Sequence, residues 1–144
     1  MPRLQQRGEV VHVAFDSSKN TLVAGILRPG EETPTIERVS NDEASVRRFL
    51  KGFVQPQLLR TCYEAGPCGY ELHRLLSSLK VPCQVIAPAL IPVAPGDRIK
   101  TDKRDARRLV RQFRAGELIA IRVPSRREEA VRDLCRAGGT RWRT

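Results

Sequence analysis

Four acidic residues of this chain stand at positions where metal ligands could gather: Asp16, Glu64, Asp102 and Asp105. Asp16 ends the apolar run VVHVAFD, Glu64 ends the run LLRTCYE, and the last two open the basic segment TDKRDARRLVRQFR. Carboxylates at strand ends and at the start of a later helix can converge over one edge of a sheet. Hard oxygen ligands of this kind suit Mg²⁺ or Mn²⁺, and two such ions can activate a nucleophile and stabilise a leaving oxygen in phosphoryl transfer.

Each of these carboxylates also has an ordinary structural explanation. Asp16 precedes a Ser-Ser turn, where an aspartate side chain commonly bonds nearby backbone N–H groups. Asp102 and Asp105 are expected on one side of the first turn of a helix capped by Thr101, where they meet the helix dipole at a gain of about 0.3–1 kcal/mol each. The dipole does not explain why that side should be the one facing the sheet. Four carboxylates at such element boundaries favour a shared metal site.

Basic residues are dense around the last two carboxylates. A run of like charges is usually a solvated helix face, but few acids compensate this one, which favours contact with nucleic-acid phosphates. Lys19, in the turn after Asp16, is a further candidate for phosphate contact or for capping that turn. The candidates between positions 98 and 114 are Arg98, Lys100, Lys103, Arg104, Arg107, Arg108, Arg111 and Arg114.

Composition narrows the class of protein. The 144 residues suit one domain with its own core, and 26 Lys and Arg against 16 Asp and Glu give a net charge of +10. That charge favours a polyanionic partner, nucleic acid before membrane. No apolar run approaches the ~18 residues of a membrane span, and MPRLQQRGEV offers no signal peptide, so a cytoplasmic protein is expected. The cysteine and histidine spacings fit no zinc pattern.

Hydrophobic periodicity predicts the elements that must position these residues. Strands are expected at 10–16, 21–27, 35–39, 58–64 and 82–87. Capping boxes predict two helix starts, one at Ser40 with Glu43 and one at Ser125 with Glu128. Between them come a helix with leucines on one face and then the basic helix. The proline-rich segment 88–96 is expected to be irregular.

The resulting order, βββαβαβα plus a C-terminal helix, predicts an α/β fold. A hairpin meander followed by strand–helix alternation gives a mixed five-stranded sheet flanked by helices. This order is that of the ribonuclease-H-like architecture.

Three blocks of the sequence carry a family resemblance: AFDSSKNTLVAGIL, YEAGPCGYELHRLL and KTDKRDARRLVRQFRAGEL. They resemble the N-terminal domain of the DEDD-type insertion-sequence transposases, a group that includes the Piv DNA invertase, over about residues 10–136. The resemblance implies a RuvC-like fold in which Asp16, Glu64, Asp102 and Asp105 match the four acidic motif positions and would hold Mg²⁺ or Mn²⁺. Family members move or invert DNA segments by cutting and rejoining strands.

The resemblance also sets the expected organisation. Residues 1–122 are expected to form the RuvC-like catalytic domain. Residues 123–144 are expected to begin a helical connector, truncated before the family's second domain, which supplies a serine implicated as nucleophile. An element-encoded structured RNA is implicated in choosing sites, and a homo-oligomer is expected because transposition joins two DNA ends. The isolated chain is expected to bind metal and nucleic acid without completing recombination.

Two alternatives come from other classes. In the first, the chain is a non-catalytic basic nucleic-acid-binding module whose acidic residues are only caps. In the second, it is half of a sugar-kinase or actin-like ATPase, which shares the first Asp, turn and hairpin. That class needs a glycine-rich phosphate loop after the first strand, and DSSKNT contains no glycine.

Overall fold

The first three strands form an antiparallel meander. The computed structural model describes residues 9–91, 94–96 and 100–137, and of residues 91, 100–102, 136 and 137 the backbone alone. Apolar residues alternate along β1 and β2, so that one set faces each side of the sheet. A turn at residues 18–20, closed by the Ser18 N–H to the Thr21 carbonyl at 2.9 Å, joins these two strands. The three strands are β1 (Val11–Ser17), β2 (Thr21–Leu27) and β3 (Thr35–Ser40).

Helices and strands then alternate, as the sequence predicted. After α1 (Glu43–Lys51), a 3₁₀ turn (Pro56–Leu58) leads into β4 (Leu59–Glu64). The chain continues through the following elements: α2 (Glu71–Ser78), β5 (Cys83–Ile86), β6 (Ala89–Ile91), β7 (Lys100–Asp102), α3 (Ala106–Arg114), β8 (Ala120–Ile121) and α4 (Arg126–Ala137).

The main sheet has the strand order β3-β2-β1-β4-β5-β8. Strands β1, β4 and β5 run parallel, and the other pairs are antiparallel. The first five strands of this order confirm the predicted mixed, ribonuclease-H-like sheet. The sixth, β8, was missed because only two residues pair, Ile121 with Val85 and Ala120 with Ile86, and so short a pairing leaves no period in the sequence.

Helices cover both faces of the sheet. On one face, Val46, Phe49 and Leu50 of α1 and Leu72 and Leu76 of α2 pack with the larger core cluster. On the other face, Leu109 and Val110 of α3 pack against Ala14, Leu27, Cys62 and Ile86. The result is a three-layer α/β/α arrangement in which α3 lies over β1 and β2. Among the described residues, no helix is both long and apolar enough to span a bilayer.

Glycine at position 25 allows α3 to approach β2 closely. A Cβ built on Gly25 would lie 2.5 Å from the carbonyl oxygen of Ala106 and 2.9 Å from its carbonyl carbon. Backbone therefore packs against backbone at the first residue of α3. This contact fixes the height of the helix start above the sheet.

Three local predictions were wrong. The segment 88–96 was expected to be irregular, but Ala89–Ile91 pairs antiparallel with Lys100–Asp102. The basic helix was expected to be capped by Thr101, but Asp105 is its N-cap and accepts from the Arg108 N–H at 2.8 Å, so the helix starts one turn later. The start of α1 is capped by Asp42, and Ser40 remains in β3.

The second predicted capping box is confirmed. Ser125 Oγ accepts from the Glu128 N–H at 3.1 Å, and Glu128 Oε1 accepts from the Ser125 N–H at 3.2 Å. This reciprocal pair opens α4.

Candidate active site

Asp16 and Glu64 stand side by side at the carboxyl ends of neighbouring parallel strands. The last paired residues of β1 and β4 are Phe15 and Tyr63, and the two carboxylates follow one residue later. Ala14 and Cys62, two residues earlier, belong to the cluster under α3. Because side chains alternate along a strand, Asp16 and Glu64 face the α3 side of the sheet.

Both carboxylates line one cavity of about 270 Å³. Its walls are the ends of β1 and β4, the turn at residues 65–67, Pro88, and the segment that leads into α3 together with Leu109. The predicted convergence at one sheet edge is therefore present for these two residues.

The segment before α3 places two cations directly on these carboxylates. Lys103 Nζ lies 3.0 Å from Asp16 Oδ1. The backbone N–H of Arg104 donates to Glu64 Oε1 at 3.0 Å, and Arg104 Nη1 lies 3.7 Å from the same oxygen. The side chains of Arg104 and Glu64 are only 12% and 11% exposed, whereas Lys103 is 64% exposed. Arg104 therefore forms a buried part of the cavity wall, and Lys103 forms an exposed part of it.

Arg104 retains an unsatisfied donor within this wall. Its Nη1 also donates to the Ala87 carbonyl at 3.4 Å, but its buried Nε has no hydrogen-bond partner within the described part of the chain. A buried donor without a partner is costly. Both Lys103 and Arg104 were predicted as phosphate contacts along the basic helix, and their attachment to the carboxylates was not foreseen.

The other two predicted ligands differ from Asp16 and Glu64. Asp105 is exposed, caps α3 and does not line the cavity. Asp102 ends β7, and its side chain lies outside the described residues. The expectation that these two aspartates share the first turn of a helix was wrong, because the helix begins only at Ala106. Among the side chains that the structure describes, no three His, Cys, Asp or Glu residues gather closely enough to hold a metal ion.

Tyr63 fixes the turn that follows Glu64. Its ring is buried on the α1 and α2 side, and its hydroxyl donates to the Gly69 carbonyl at 3.0 Å. Burial raises the pKa of this phenol, so it remains a neutral donor. The sequence signal for this role was indirect: an aromatic residue adjoins the carboxylate on the opposite face of the strand.

The outer face of α3 is strongly basic. Ala106, Leu109 and Val110 are buried against the sheet, while Arg107, Arg108 and Arg111 are exposed on the other side. Arg114 has a structural role, since it donates to the Glu31 carbonyl and its Nη2 lies 3.9 Å from Glu32 Oε2, which ties the loop after β2 to the end of α3. Lys19 is exposed in the turn after β1. Arg98 and the Lys100 side chain lie outside the described residues.

This fold, with acidic residues at two adjacent parallel strand ends, defines a ribonuclease-H-like α/β protein. The chain belongs to the family of DEDD transposases of the IS110 type: that family model, described as Transposase, matches residues 13–141. The match contains Asp16, Glu64, Asp102 and Asp105 together with the basic helix.

Two curated relatives are similar over most of this chain. The protein y4qE of Sinorhizobium fredii, provisionally named a transposase, is 51% identical over 100 residues, which cover 69% of this chain and 26% of that protein. The transposase for insertion sequence element IS1533 of Leptospira borgpetersenii is 37% identical over 130 residues, which cover 88% of this chain and 38% of that protein. The chain thus spans less than half the length of either relative.

Proposed function

We propose that this chain is the catalytic domain of a transposase that cleaves and rejoins DNA strands with the help of Mg²⁺ or Mn²⁺. The observation that carries the proposal is the shared cavity of Asp16 and Glu64, at adjacent strand ends and beside the basic helix α3. In this proposal residues 1–122 form the catalytic unit and residues 123–144 begin a connector. A serine-bearing second domain, as part of a longer transposase, would complete the reaction.

Asp16 and Glu64, joined by Asp102 and Asp105, would hold the metal ion. Carboxylate oxygens are the donors that hard divalent cations prefer, and a cavity of about 270 Å³ gives them room. A divalent ion there supplies Lewis acidity, which lowers the pKa of a nucleophile and neutralises charge on the phosphate. Arg104 already engages Oε1 of Glu64, so Glu64 would offer its other oxygen to a metal ion. Lys103 contacts Oδ1 of Asp16, so its positive charge would oppose a metal ion at this carboxylate.

The basic residues would hold the nucleic acid. In this proposal Arg107, Arg108 and Arg111 on the outer face of α3 contact the backbone, with Lys103 at the cavity. Lys19, Arg98 and Lys100 stay predicted phosphate contacts. Such contacts carry affinity that falls steeply with salt. DNA is the proposed substrate in the cytoplasm, a structured RNA is a proposed guide, and a homo-oligomer would bring two DNA ends together.

The deciding experiment measures Mn²⁺ binding to the purified chain by electron paramagnetic resonance. Asp16→Asn and Glu64→Gln should each weaken binding by about tenfold or more, since each removes a ligand. Asp42→Asn is the matched control, because Asp42 caps α1 as Asp105 caps α3 but lies away from the cavity. The same ligand variants, built into a longer transposase, should abolish strand cleavage. If Asp16→Asn binds Mn²⁺ with wild-type affinity, the proposed metal site is wrong.

The non-catalytic binding module stays a second candidate because of one observation. Lys103 and Arg104 already neutralise the two cavity carboxylates, and Asp105 serves as a cap. In that case Asp16→Asn and Glu64→Gln would change neither metal binding nor nucleic-acid affinity, and only the arginines of α3 would matter.

A further inference from the structure

A second cavity opens on the α3 side of the sheet, at the opposite end from Asp16 and Glu64. It measures about 300 Å³ and is lined by His12, Arg60, Thr61, Pro82, Gln84 and Phe113. We call it the sheet-face pocket. His12 and Arg60 are register partners near the starts of β1 and β4. They lie four residues before the two carboxylates, roughly 13 Å along the strands.

The floor of the sheet-face pocket is formed by a part of the sheet that α3 does not cover. Helix α3 packs over β1 and β2, and Gln84 on β5 is exposed while Arg60 on β4 is half-buried. Phe113, in the last turn of α3, forms a wall, and its ring meets His12 edge-to-face with centroids 5.4 Å apart. An open sheet face beside an aromatic ring is a surface on which flat groups can stack.

The polar side chains of the pocket include Arg60, Gln84 and His12. Arg60 is held in place because its Nη1 donates to the carbonyls of Leu59 at 2.9 Å and Gln57 at 3.2 Å, so a planar cation is presented in a fixed position. Gln84 offers an amide donor and acceptor. Burial, followed by the charges of Arg114 and Arg60, lowers the pKa of His12, so its neutral ring offers one donor and one acceptor.

The charge and position of the pocket narrow the ligand further. None of the described residues that line it is acidic, which disfavours a cationic ligand. It adjoins the C-terminal end of α3, whereas the carboxylate cavity adjoins the N-terminal end, and the nine residues of the helix span roughly 14 Å. Consider a nucleic-acid strand that enters at the carboxylate cavity and whose backbone follows the arginines of α3. The bases that come after the one at the cavity would reach the sheet-face pocket.

We propose that the sheet-face pocket binds an unstacked base of a single-stranded nucleic-acid segment, between Phe113 and Arg60 and with Gln84 at the base edge. The proposal rests on the proposed function in one respect, that α3 holds the backbone. Base stacking on aromatic and guanidinium planes is the mode by which proteins grip single strands beyond phosphate contact.

The test compares two fluorescently labelled single strands of equal length in an anisotropy titration of the full chain. One carries thymine at every position, and the other carries abasic sugars with the same phosphates. The chain should bind the base-bearing strand about tenfold more tightly. Phe113→Leu and Gln84→Ala should each reduce that ratio while leaving the salt dependence unchanged, because no phosphate contact is lost. Asn20→Ala removes an exposed amide outside the pocket and should leave the ratio as it is.

The outcomes separate this inference from the proposed function. The proposed base-binding role of the pocket is wrong if the wild type binds both strands with equal affinity. It is also wrong if the ratio of the two affinities is unchanged in both Phe113→Leu and Gln84→Ala. Gln84 is exposed, so its variant tests the pocket even if Phe113→Leu is unstable. Arg107→Ala and Arg111→Ala should weaken both strands alike and lower the salt slope. If they do not, the proposed contacts between the arginines of α3 and the nucleic-acid backbone are wrong. The titration is then repeated with a base-bearing and an abasic strand that contain ribose in place of deoxyribose. The sugar that gives the tighter binding of the base-bearing strand identifies the ligand as RNA or as DNA.

Discussion

The ammonium group of Lys103 lies 3.0 Å from Oδ1 of Asp16, at the open side of the carboxylate cavity. Lys103 is 64% exposed and Asp16 27% exposed, so solvent screens the pair. Exposed ion pairs typically contribute about 0–1 kcal/mol. Lys103 therefore holds the carboxylate weakly, and a cation of higher charge or an incoming phosphate can separate the two.

Removing this lysine should strengthen metal binding. Lys103→Gln is expected to raise the Mn²⁺ affinity by up to about fivefold, since the ion no longer competes with an ammonium group whose interaction is worth at most about 1 kcal/mol. Isothermal titration calorimetry with Mn²⁺ measures the change. Lys51→Gln, at the exposed end of α1, is the matched control. Weaker Mn²⁺ binding in Lys103→Gln would contradict a metal site at which Lys103 opposes the ion.

Arg104 should contribute more to stability than Lys103, because its side chain and that of Glu64 are almost fully buried. Arg104→Met keeps most of the apolar stem but removes the guanidinium, so that among the described residues Glu64 retains the backbone N–H of residue 104 as its hydrogen-bond donor. The free energy of unfolding should fall by about 1–3 kcal/mol. Urea denaturation measures this, with the exposed Arg107→Met expected within about 0.5 kcal/mol of wild type.

A double-mutant cycle measures the interaction energy between Arg104 and Glu64. Adding Glu64→Gln to Arg104→Met should recover part of the loss, because a neutral amide no longer needs the guanidinium. Strict additivity of the two single substitutions would show that Arg104 acts through packing alone.

The sequence located Asp16 and Glu64 because two strong strand patterns, VVHVAFD and LLRTCYE, end at these residues and parallel strands bring such ends together. It did not locate the start of α3, because Thr101 and Asp105 are both good caps and only the pairing of β7 with β6 decides between them. The sequence also predicted that Lys103 and Arg104 contact nucleic-acid phosphates. Their contacts depend on how the chain crosses the ends of β1 and β4, which no local pattern encodes.

Gly25 should be intolerant of even one added methyl group. Gly25→Ala would place a carbon 2.5 Å from the Ala106 carbonyl oxygen, so the start of α3 must rise from the sheet. Overpacking of this kind costs about 1–3 kcal/mol and would also move Lys103 and Arg104 away from the carboxylates. Urea denaturation measures the loss, and Mn²⁺ titration measures the effect on the cavity.

Gly66→Ala is the control for that substitution. A Cβ at Gly66 meets no atom of the described residues within 4 Å, so the free energy of unfolding should change by less than about 0.5 kcal/mol. If Gly25→Ala were equally silent, the close approach of β2 and α3 would not limit the fold.

Acid should loosen the start of α4 through Glu128. Two short contacts to Arg122 Nη2, at 2.7 and 2.9 Å, followed by the Ser125 N–H, lower the pKa of Glu128 to about 2 from an ordinary 4.5. Because the folded pKa is depressed, this carboxylate stabilises the folded chain fully above pH 4.5, and the contribution is lost as the pH falls from 4.5 through about 2. Both partners are exposed, so the effect should shrink in high salt.

Glu128→Gln should remove this component of the pH dependence. Thermal unfolding followed by circular dichroism from pH 6 to pH 2 should show a shallower loss of stability in Glu128→Gln than in wild type, while the exposed Glu117→Gln should follow wild type. Direct titration of the Glu128 carboxyl carbon by nuclear magnetic resonance checks the cause. A midpoint near 4.5 would mean that the capping box and the Arg122 pair do not persist in solution, and α4 would then have to be held by Arg74 and its contact to Glu129 at 2.8 Å.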